Sequence, residues 1–408
     1  MSVTAAPAAS CALHDTGTCR SCPHLSLPMP DQLAAKQSRV ATLLAEHVPA
    51  ELWQAPAASA PTGFRNKAKM AVAGTAAHPT LGILDGAGCG VDLRTCPLHV
   101  PAIEAALPVL ADLVTELGLR PYDVPSRRGE LKYILVTASP DDDLMVRFVL
   151  RSRRYLERLR AAVPDLRRRL PQLAVAAVNI QSVHQAVIEG PEEIVLTEED
   201  RLLMRLSLPS PGRNGRVGRR AESVELPLSL PTRSFFQTNT AVAEALYATA
   251  RDWAEEAEPA RVWDLFCGVG GFALALAAPG RRVLGVEVSA PAIDGARAAA
   301  YLMGLDPALV RFEAGDARVL DPAAGERAGG AQRPDLLVVN PPRRGIGEQL
   351  ATRIEASGVE RVLYSSCNPR TLAADLAHLP SMRVVRSRLF DMFPHTEHAE
   401  VLVELMRD

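Results

Sequence analysis

Lysine, aromatic residues and long apolar runs are all scarce in this chain. Its 408 residues contain four lysines against 41 arginines, and phenylalanine, tryptophan and tyrosine make up 4% of the total. We interpret the lysine deficit as a base-composition bias of the genome. No apolar run is long enough to span a bilayer, and the N-terminus lacks the basic start and apolar core of a signal peptide. A cytoplasmic protein is therefore expected.

The balance of charge and the number of cysteines exclude two further classes. A formal net charge of −2 argues against a protein that binds nucleic acid over its whole surface. Seven cysteines, an odd number in a chain expected to be cytoplasmic, argue against a disulfide framework. Residues 147–169 nevertheless contain nine arginines and two acids. This run indicates either a surface that meets phosphates or a solvated helix face.

A glycine-rich turn follows a short apolar strand in the second half of the chain. The strand predicted at 262–265 leads into FCGVGG, residues 266–271, and then into a helix. Glycines let the backbone approach a ligand, and a helix start offers free N–H groups. The next strand ends at Glu287, 19 residues after Gly268, where an acid binds ribose hydroxyls. A dinucleotide enzyme would share these features, but the glycine spacing is not GxGxxG, and the turn resembles the S-adenosylmethionine (AdoMet) turn of class I methyltransferases.

A second motif follows the buried strand predicted at 335–339. The strand ends in NPPRRG, residues 340–345. Asn-Pro-Pro at this place resembles the base-binding motif of nucleic-acid methyltransferases. Prolines suit this role because they fix φ and stiffen the loop that packs against a planar ring. A plain turn is the alternative explanation, and the preceding AdoMet-like turn and Glu287 make it the weaker one.

Cys367 lies in a third motif, SSCNP, directly after the apolar run 362–364. Ligands of parallel α/β sheets bind beyond the carboxyl ends of the strands, so we expect this thiol at the rim of an active site. The helix predicted at 371–378 would favour its thiolate form. A lone cysteine is otherwise usually a small buried hydrophobe, which is how we interpret Cys267 inside the glycine-rich turn.

Taken together, these motifs resemble those of the RNA uracil-C5-methyltransferases, over nearly the whole chain. Two features favour the branch that methylates uridine 747 of 23S rRNA. Ten residues precede Cys11, so the TRAM RNA-binding domain of a related branch is missing, and NPP stands where other branches carry DPP. The matching segments are SFFQTN (234–239), DLFCGVGGF (264–272), NPPRRGIG (340–347), SSCNP (365–369), DMFPHTEHAEVL (391–402), CALHDTGTCRSC (11–22) and GFRNKAKM (63–70).

The resemblance implies covalent catalysis. The Cys367 thiolate would add to C6 of uracil, and C5 would then attack the methyl group of AdoMet. Glu400 would remove the C5 proton, with Glu397, His395 and His398 as nearby competitors for this role. For AdoMet binding, the resemblance implies Gln237, Phe266, Glu287 and Asn340. We add Gly268 of the turn, and Asp316 at the end of the third strand, where class I enzymes often contact adenine.

Four cysteines form a separate constellation. Cys11, Cys19 and Cys22 have the spacing C-x7-C-x2-C, and Cys96 lies far downstream. On spacing alone an iron–sulfur cluster, a zinc ion and unligated thiols all remain open. The resemblance implies that these four cysteines hold a [4Fe–4S] cluster, which would fold a small domain that helps to hold RNA. Cys89 lacks the TCP context of Cys96, and a radical-AdoMet enzyme would need C-x3-C-x2-C.

The predicted fold class is α/β, a class I AdoMet-dependent methyltransferase with a Rossmann-like seven-stranded sheet. Residues 1–60 are expected to form a tail and the iron–sulfur segment, 61–230 a central α+β RNA-binding domain, and 231–408 the catalytic domain. Nothing in the sequence indicates more than a monomer. Helices are expected at 31–46, with Asp31 as N-cap, and at 101–118, 154–170 and 240–254. A basic loop is predicted at 209–220, and the last two strands lack an intervening helix.

Other functions remain open at this point. An exocyclic-N methyltransferase acting on guanine or adenine also uses NPP but needs no nucleophilic thiol. A noncatalytic iron–sulfur factor that binds or assembles RNA is a second alternative, against which the AdoMet-like turn and Cys367 argue. For the proposed chemistry the target base must be unstacked, which points to a loop uridine, in 23S rRNA or at another RNA site. Candidate RNA contacts are Arg343 and, alternating along one strand, Arg65, Lys67 and Lys69.

Overall fold

A mixed sheet of seven strands forms the centre of the first half of the protein. The computed structural model describes residues 9–185, 187–209, 223–319 and 333–408. The strands of this sheet are β1 (Lys67–Gly74), β2 (Pro79–Leu84), β3 (Gly90–Asp92), β4 (Leu131–Ala138), β5 (Leu144–Leu150), β6 (Leu173–Ile180) and β7 (Glu192–Val195). Their order is β3-β2-β1-β4-β5-β6-β7, and β5 and β6 pair in parallel whereas the other neighbours are antiparallel. A two-stranded ribbon follows, with strands β8 (Arg201–Pro209) and β9 (Ser223–Pro231).

The second half contains the predicted Rossmann-like sheet, again with seven strands. They are β10 (Arg261–Leu265), β11 (Arg282–Glu287), β12 (Val310–Ala314), β13 (Leu336–Val339), β14 (Arg361–Ser366), β15 (Met382–Phe390) and β16 (Glu400–Arg407). The order is β12-β11-β10-β13-β14-β16-β15, in which β10 to β14 run parallel and β16 lies antiparallel between β14 and β15. The reversed final hairpin predicted from the sequence is confirmed.

The helices mostly begin and end close to the predicted positions, with one exception at a cap. The first contiguous segment contains α1 (Ala12–Asp15), α2 (Met29–Leu43), α3 (Pro101–Glu116) and α4 (Leu156–Arg169), and the rest of the chain contains α5 (Thr240–Ala257), α6 (Gly271–Ala275), α7 (Ala290–Leu302), α8 (Gly347–Ser357) and α9 (Pro369–Leu376). Short 3-10 helices lie at Ala50–Leu52, Arg153–Tyr155 and Ala317–Val319. The prediction that Asp31 caps α2 is wrong: Pro28 occupies the N-cap and Asp31 lies in the first turn, because prolines at the start pre-set the helical φ.

Helix α2 packs against the second sheet although it precedes the first sheet in sequence. Its Val40 and Leu44 are fully buried in the same apolar core as β10, β13 and β14, together with α8 and α9. The other face of this sheet is covered by α5, α7 and the β8–β9 ribbon. The first sheet buries α3 and α4 in a core of its own. The N-terminal segment is therefore attached directly to the sheet that carries the predicted catalytic residues.

Two predicted segments fall wholly or largely outside the described residues. They are the first eight residues of the expected tail and, apart from Pro209, the basic loop at 209–220. No helix within the described part of the chain is long and apolar enough to cross a membrane.

Candidate active site

The predicted site residues follow four parallel strands at the same edge of the second sheet. Phe266 comes directly after β10, Glu287 ends β11, Asn340 follows β13 and Cys367 follows β14. Because the carboxyl ends of parallel strands meet at one edge, side chains that are far apart in sequence converge there.

A cavity of about 680 Å³ opens at this edge. Its volume lies in the usual range for a site that holds one small organic molecule. All eight residues predicted to be catalytic or cofactor-binding line it: Gln237, Phe266, Gly268, Glu287, Asp316, Asn340, Cys367 and Glu400. The structure thus brings together every member of that set.

The glycine-rich turn is held by backbone conformation and by Glu287. Phe266, Gly268 and Gly270 all have positive φ, at 67°, 55° and 88°. A methyl group on Gly268 would meet nothing within 4 Å, so its conformation rather than lack of space favours glycine there. The carboxylate of Glu287 accepts hydrogen bonds from the backbone N–H groups of Gly268, at 3.3 Å, and Ser289, at 3.0 Å. These bonds fix an acid beside the turn, where ribose hydroxyls would be recognised.

Asp264, on β10, is a buried carboxyl group that the sequence motifs did not single out. Its Oδ2 accepts from the backbone N–H of Ala273 at 2.9 Å, and its Oδ1 has no hydrogen-bond partner in the described structure. Burial raises the pKa of Asp264 to about 8, so the group is largely protonated at neutral pH. The sequence could have indicated this residue, because Asp264 is an acid within an apolar strand, and burying a carboxyl group there is costly unless it has a role.

Cys367 is half-buried, and its surroundings oppose ionisation in the absence of RNA. The pKa of Cys367 is raised, first by burial and second by the charge of Glu400, whereas the charge of Arg343 and its hydrogen bond to the thiol lower it. The expected contribution of the start of α9, which would favour the thiolate, stays a prediction. Among these influences on the thiol, desolvation is the largest because the thiol lies partly inside the cavity.

Glu400 lies next to Cys367 because of the strand register. Antiparallel pairing ends with Ser366 of β14 opposite Val401 of β16, and Cys367 and Glu400 are the chain neighbours of these two residues and both line the cavity. Glu400 is 2% exposed, and the hydroxyl of Ser365 donates to its Oε1 at 2.5 Å. Burial raises the pKa of Glu400 to about 7. A carboxyl group with this pKa can accept and release a proton near neutral pH.

The other three candidate bases stand elsewhere. The ring of His395 is fully buried between Gln32 and the carbonyl of Pro61, with nitrogens 3.1 and 2.7 Å from its partners. Glu397 and His398 are exposed. Of these four described residues, Glu400 is the one that lines the cavity.

The loop that leads into β16 is held by α2. Lys36 of α2 donates to a carboxylate oxygen of Asp391 at 2.5 Å and to the carbonyl of Phe393 at 2.9 Å. Both members of this ion pair are almost fully buried, and burial lowers the pKa of Lys36. Because truncating one partner would leave a buried charge uncompensated, the pair ties the N-terminal segment firmly to the loop that ends at Glu400.

Basic and aromatic groups surround the mouth of the cavity. Lys69 of β1, Arg343 and Arg344 line it, as does Phe235, whose side chain is 69% exposed. An exposed aromatic ring at this place offers a surface on which a base can stack. Phe235 was part of the quoted SFFQTN motif, but its exposure was not visible from the sequence.

The arginine run at 147–169 is largely paired with acids. Arg147 is 2% exposed and bonds to Glu189 and Glu193. Ion pairs also engage Arg151, Arg153, Arg160, Arg168 and Arg169, so six of the nine arginines have acidic partners. The structure therefore gives little support to this run as a phosphate-binding surface.

Four of the seven cysteines surround a second cavity, of about 240 Å³, below β1. Cys11, Cys19, Cys22 and Cys96 all line it, together with apolar side chains, Arg65 and Lys69, whereas Cys89 is exposed elsewhere. Burial and then the other three thiols raise the pKa of Cys22 to about 11. Among the described residues, no group of three or more His, Cys, Asp or Glu side chains could hold a single metal ion.

Comparison with known proteins gives a consistent result. The family described as tRNA (uracil-5-)-methyltransferase matches residues 224–408. The 23S rRNA (uracil(747)-C(5))-methyltransferase RlmC of Halothiobacillus neapolitanus is 48% identical over 401 residues, covering 97% of this chain and 99% of that protein. Its namesake from Cronobacter sakazakii is 46% identical, covering 98% and 100%.

Among solved structures, the fold is similar to that of the Pyrococcus abyssi tRNA (uracil-54, C5)-methyltransferase in complex with S-adenosyl-L-homocysteine. The TM-score is 0.75 at 23% sequence identity, and the match covers 95% of this chain and 85% of that one. At this identity the likeness concerns the fold, including the Rossmann-like sheet.

Proposed function

The chain belongs to the family of the 23S rRNA (uracil(747)-C(5))-methyltransferases, and we propose that it methylates C5 of uridine 747 in 23S rRNA with AdoMet as the methyl donor. The observation that carries the proposal is the juxtaposition of Cys367 and Glu400 in one cavity that also contains the residues predicted for AdoMet. A nucleophile and a base side by side are what C5 methylation needs, whereas methylation of an exocyclic nitrogen needs no thiol.

Cys367 is the proposed nucleophile. Its Sγ forms a bond to C6 of the uracil, which makes C5 an enolate-like carbon able to attack the sulfonium methyl group of AdoMet. The raised pKa of Cys367 means that few thiolates exist before RNA binds. Arg343, which donates to the thiol and lowers its pKa, is the group that stabilises the thiolate as it forms.

Glu400 is the proposed base for the second half of the reaction. After methyl transfer it takes the proton from C5, the bond between C6 and Sγ breaks, and the Cys367 thiolate is restored. A pKa of about 7 suits this step, because the carboxylate is then available at neutral pH and is still basic enough to accept a proton. Ser365 holds the carboxylate in place through its hydroxyl group.

AdoMet is proposed to lie along the ends of β10, β11 and β13 and to supply the methyl group. Glu287 binds the ribose hydroxyls, and the backbone of Phe266 and Gly268 faces the ligand across the turn. Gln237 and Asn340 are the remaining polar contacts, and both line the cavity. Asp316 is bonded to Arg318 at 2.6 Å, which holds its pKa at about 2. Its carboxylate would therefore reach adenine as an acceptor.

A [4Fe–4S] cluster held by Cys11, Cys19, Cys22 and Cys96 forms the second part of the proposal. The four thiols line one cavity together with apolar side chains. The resemblance to the RNA uracil-C5-methyltransferases, whose cluster ligands these four positions match, favours a cluster over zinc. Such a cluster would contribute to folding and would not take part in methyl transfer.

The substrate is proposed to be an unstacked loop uridine, and the enzyme to act as a monomer. A base has to leave its stack to bring C6 to Cys367, since the thiol lies inside the cavity.

The test is a tritium-release assay. Anaerobically purified protein would be incubated with AdoMet and 23S rRNA carrying tritium at uridine C5. Release of tritium to water in an amount equal to methyl incorporation supports C5 chemistry. Methyl incorporation without release would contradict it and point to an N- or O-methyltransferase, while failure to bind AdoMet would favour a noncatalytic RNA-binding protein.

A further inference from the structure

A further cavity, lined by polar side chains, adjoins the catalytic cavity at Cys367. It has a volume of about 280 Å³ and shares Cys367 and Arg343 with the catalytic cavity. The remaining polar side chains around it are those of Arg39, Asn368, Arg370, Glu397 and His398. The motifs used to assign the reaction do not account for Arg39 or Arg370.

Three separate parts of the chain build this cavity. Arg39 comes from α2, Arg343 from the loop after β13, and Arg370 from the first turn of α9. The side chains of Asn368 and Thr371 both donate to the carbonyl of Arg343, at 3.0 and 3.2 Å, and so tie two of the parts together. Arg39 donates to the backbone carbonyl of Glu397, which attaches the third part. Hydrogen bonds thus hold together the three parts of the chain that form the cavity.

The electrostatic potential in this cavity is positive. Three guanidinium groups face one carboxylate, that of Glu397. The pKa of His398 is lowered by burial and then by the charges of Arg343, Arg39 and Lys36, which outweigh the opposing effect of Glu397. His398 is therefore neutral at physiological pH, and the arginines retain most of their donors, since a guanidinium group carries five.

We propose that this polar cavity binds one backbone phosphate of the RNA, next to the target uridine. The inference rests on the proposed function, because it requires the uracil to lie against Cys367 in the catalytic cavity. Because the two cavities meet at Cys367 and Arg343, a nucleotide whose base lies in the catalytic cavity can place its sugar and phosphate in the polar cavity, where Arg39 and Arg370 lie. Guanidinium groups match phosphate oxygens in charge and geometry, and phosphate contacts fix the position of a nucleic acid without reading its sequence.

The first test compares how RNA affinity depends on salt. Arg370→Gln and Arg39→Gln should each bind a 23S rRNA fragment containing uridine 747 about 10- to 100-fold more weakly, as loss of a charge-assisted hydrogen bond predicts. The slope of log K against log salt should become shallower by about 0.7 for one lost phosphate contact on a single strand. Arg383→Gln, which removes an exposed charge from β15 at 59% side-chain exposure, serves as the matched control and should change neither quantity.

The second test asks whether the arginine and the phosphate act on each other. RNA fragments would carry an uncharged methylphosphonate either 5′ or 3′ of the target nucleotide, with the matching 2′-deoxy phosphodiester as control. One of the two should weaken binding by wild-type protein and have little further effect on Arg370→Gln, because the partner charge is already gone. If the losses from the RNA change and the protein change simply add at both positions, the cavity does not bind that phosphate and the proposal is overturned.

The design separates this inference from the proposed reaction. If wild-type protein releases no tritium from uridine C5, the proposed function fails, whatever the arginines do. If it does release tritium but the two variants keep the wild-type salt slope, only the phosphate site fails. AdoMet affinity should be unchanged in both variants, which checks that they are folded. A fall in turnover with an unchanged salt slope would make these residues supports for the Glu397–Glu400 loop and would also overturn the proposal.

Discussion

The catalytic cavity and the cysteine cavity are built in different ways. The catalytic cavity is formed at the ends of parallel strands, where hydrogen bonds of the sheet position Phe266, Glu287 and Cys367. The cysteine cavity is formed largely by loops around α1 and by the segment near Cys96. Lys69 lines both cavities and connects them.

The difference concerns what holds each site in shape. A sheet edge presents its side chains whether or not a ligand is bound, so the catalytic cavity is pre-organised by the fold. The loops that carry the four cysteines have little core of their own, and α1 contains no buried residue. A bound cluster would supply the missing cohesion, because ligand binding then contributes to the free energy of folding. Substitutions in the catalytic cavity should consequently reduce activity, whereas substitutions in the cysteine cavity should reduce stability.

The largest effect is expected from Cys367→Ala in the catalytic cavity. Loss of the nucleophile should reduce C5 methylation by at least about 10⁴-fold, as removal of a covalent catalyst does elsewhere. AdoMet binding and thermal stability should change little, since the side chain lies at the cavity wall and the sheet remains intact. Equilibrium binding of AdoMet and single-turnover methylation would measure both. Substantial residual methylation would support the exocyclic-N alternative and make Cys367 a structural residue.

Glu400→Gln should give a smaller loss and a distinctive product. Methyl transfer can still occur, but removal of the C5 proton cannot, so turnover should fall by about 10²- to 10⁴-fold. The methylated RNA should remain bonded to Cys367 and appear on a denaturing gel as a species that resists heat and detergent. Glu360→Gln is the matched control, because this exposed acid lies outside the catalytic cavity and outside the polar cavity that contains Arg39 and Arg370. Turnover at the wild-type rate by Glu400→Gln would remove the residue from the mechanism.

Cys11→Ser tests the cysteine cavity. The anaerobically purified variant should lose iron, sulfide and the brown colour of the protein. Its free energy of unfolding should fall by on the order of 3 kcal/mol, as is common when a bound metal group is lost. Cys89→Ser, which changes an exposed cysteine of the same half of the chain, should keep both colour and stability. Full retention of iron and sulfide in Cys11→Ser would rule out the cluster as proposed.

The two cavities also differ in how much of them could be predicted from the sequence. Short motifs at strand ends are determined locally, and the parallel sheet converts their order along the chain into proximity, so Glu287 and Cys367 were predicted to share a site. Gln237 lies outside this sheet, and only the family resemblance assigned it to the same site. The cysteines were found by type and spacing, but spacing alone did not decide between a cluster, zinc and unligated thiols. That choice depends on how far apart the thiols lie in space.

Features set by burial and by long-range packing could not be predicted. The attachment of α2 through Lys36 and Asp391 joins residues 355 positions apart. The direction of the Cys367 pKa shift depends on a balance between desolvation, Glu400 and Arg343 that only the folded arrangement determines. For the arginine run at 147–169 the sequence similarly left a phosphate-binding surface and a solvated helix face open, because some of its acidic partners, those in β7, are distant in sequence.

The pH dependence of the two chemical steps should separate the roles of Cys367 and Glu400. Glu400 acts as a carboxylate, so release of tritium should fall by about tenfold per pH unit below its pKa of about 7 and level off above it. Methyl transfer needs the Cys367 thiolate, whose pKa is raised above the ordinary 9.0, so its rate should still increase between pH 7 and 9. Quenched-flow measurement of both products in one single turnover checks this. Identical profiles for the two steps would contradict the division of roles.

The smallest effect is expected from Lys69→Gln, at the residue that the two cavities share. Lys69 is exposed on β1, so its loss should weaken binding of the 23S rRNA fragment by a few-fold, roughly the effect of one phosphate contact, and leave iron content unchanged. Arg128→Gln removes an exposed charge from the same domain outside both cavities and serves as the control. A loss of iron from Lys69→Gln, with RNA affinity intact, would assign the residue to the cysteine cavity instead. The proposed cluster would then act on the catalytic cavity through the fold, by way of contacts such as the hydrogen bonds that the Asn66 amide donates to the carbonyl of Gln237 and the hydroxyl of Thr240.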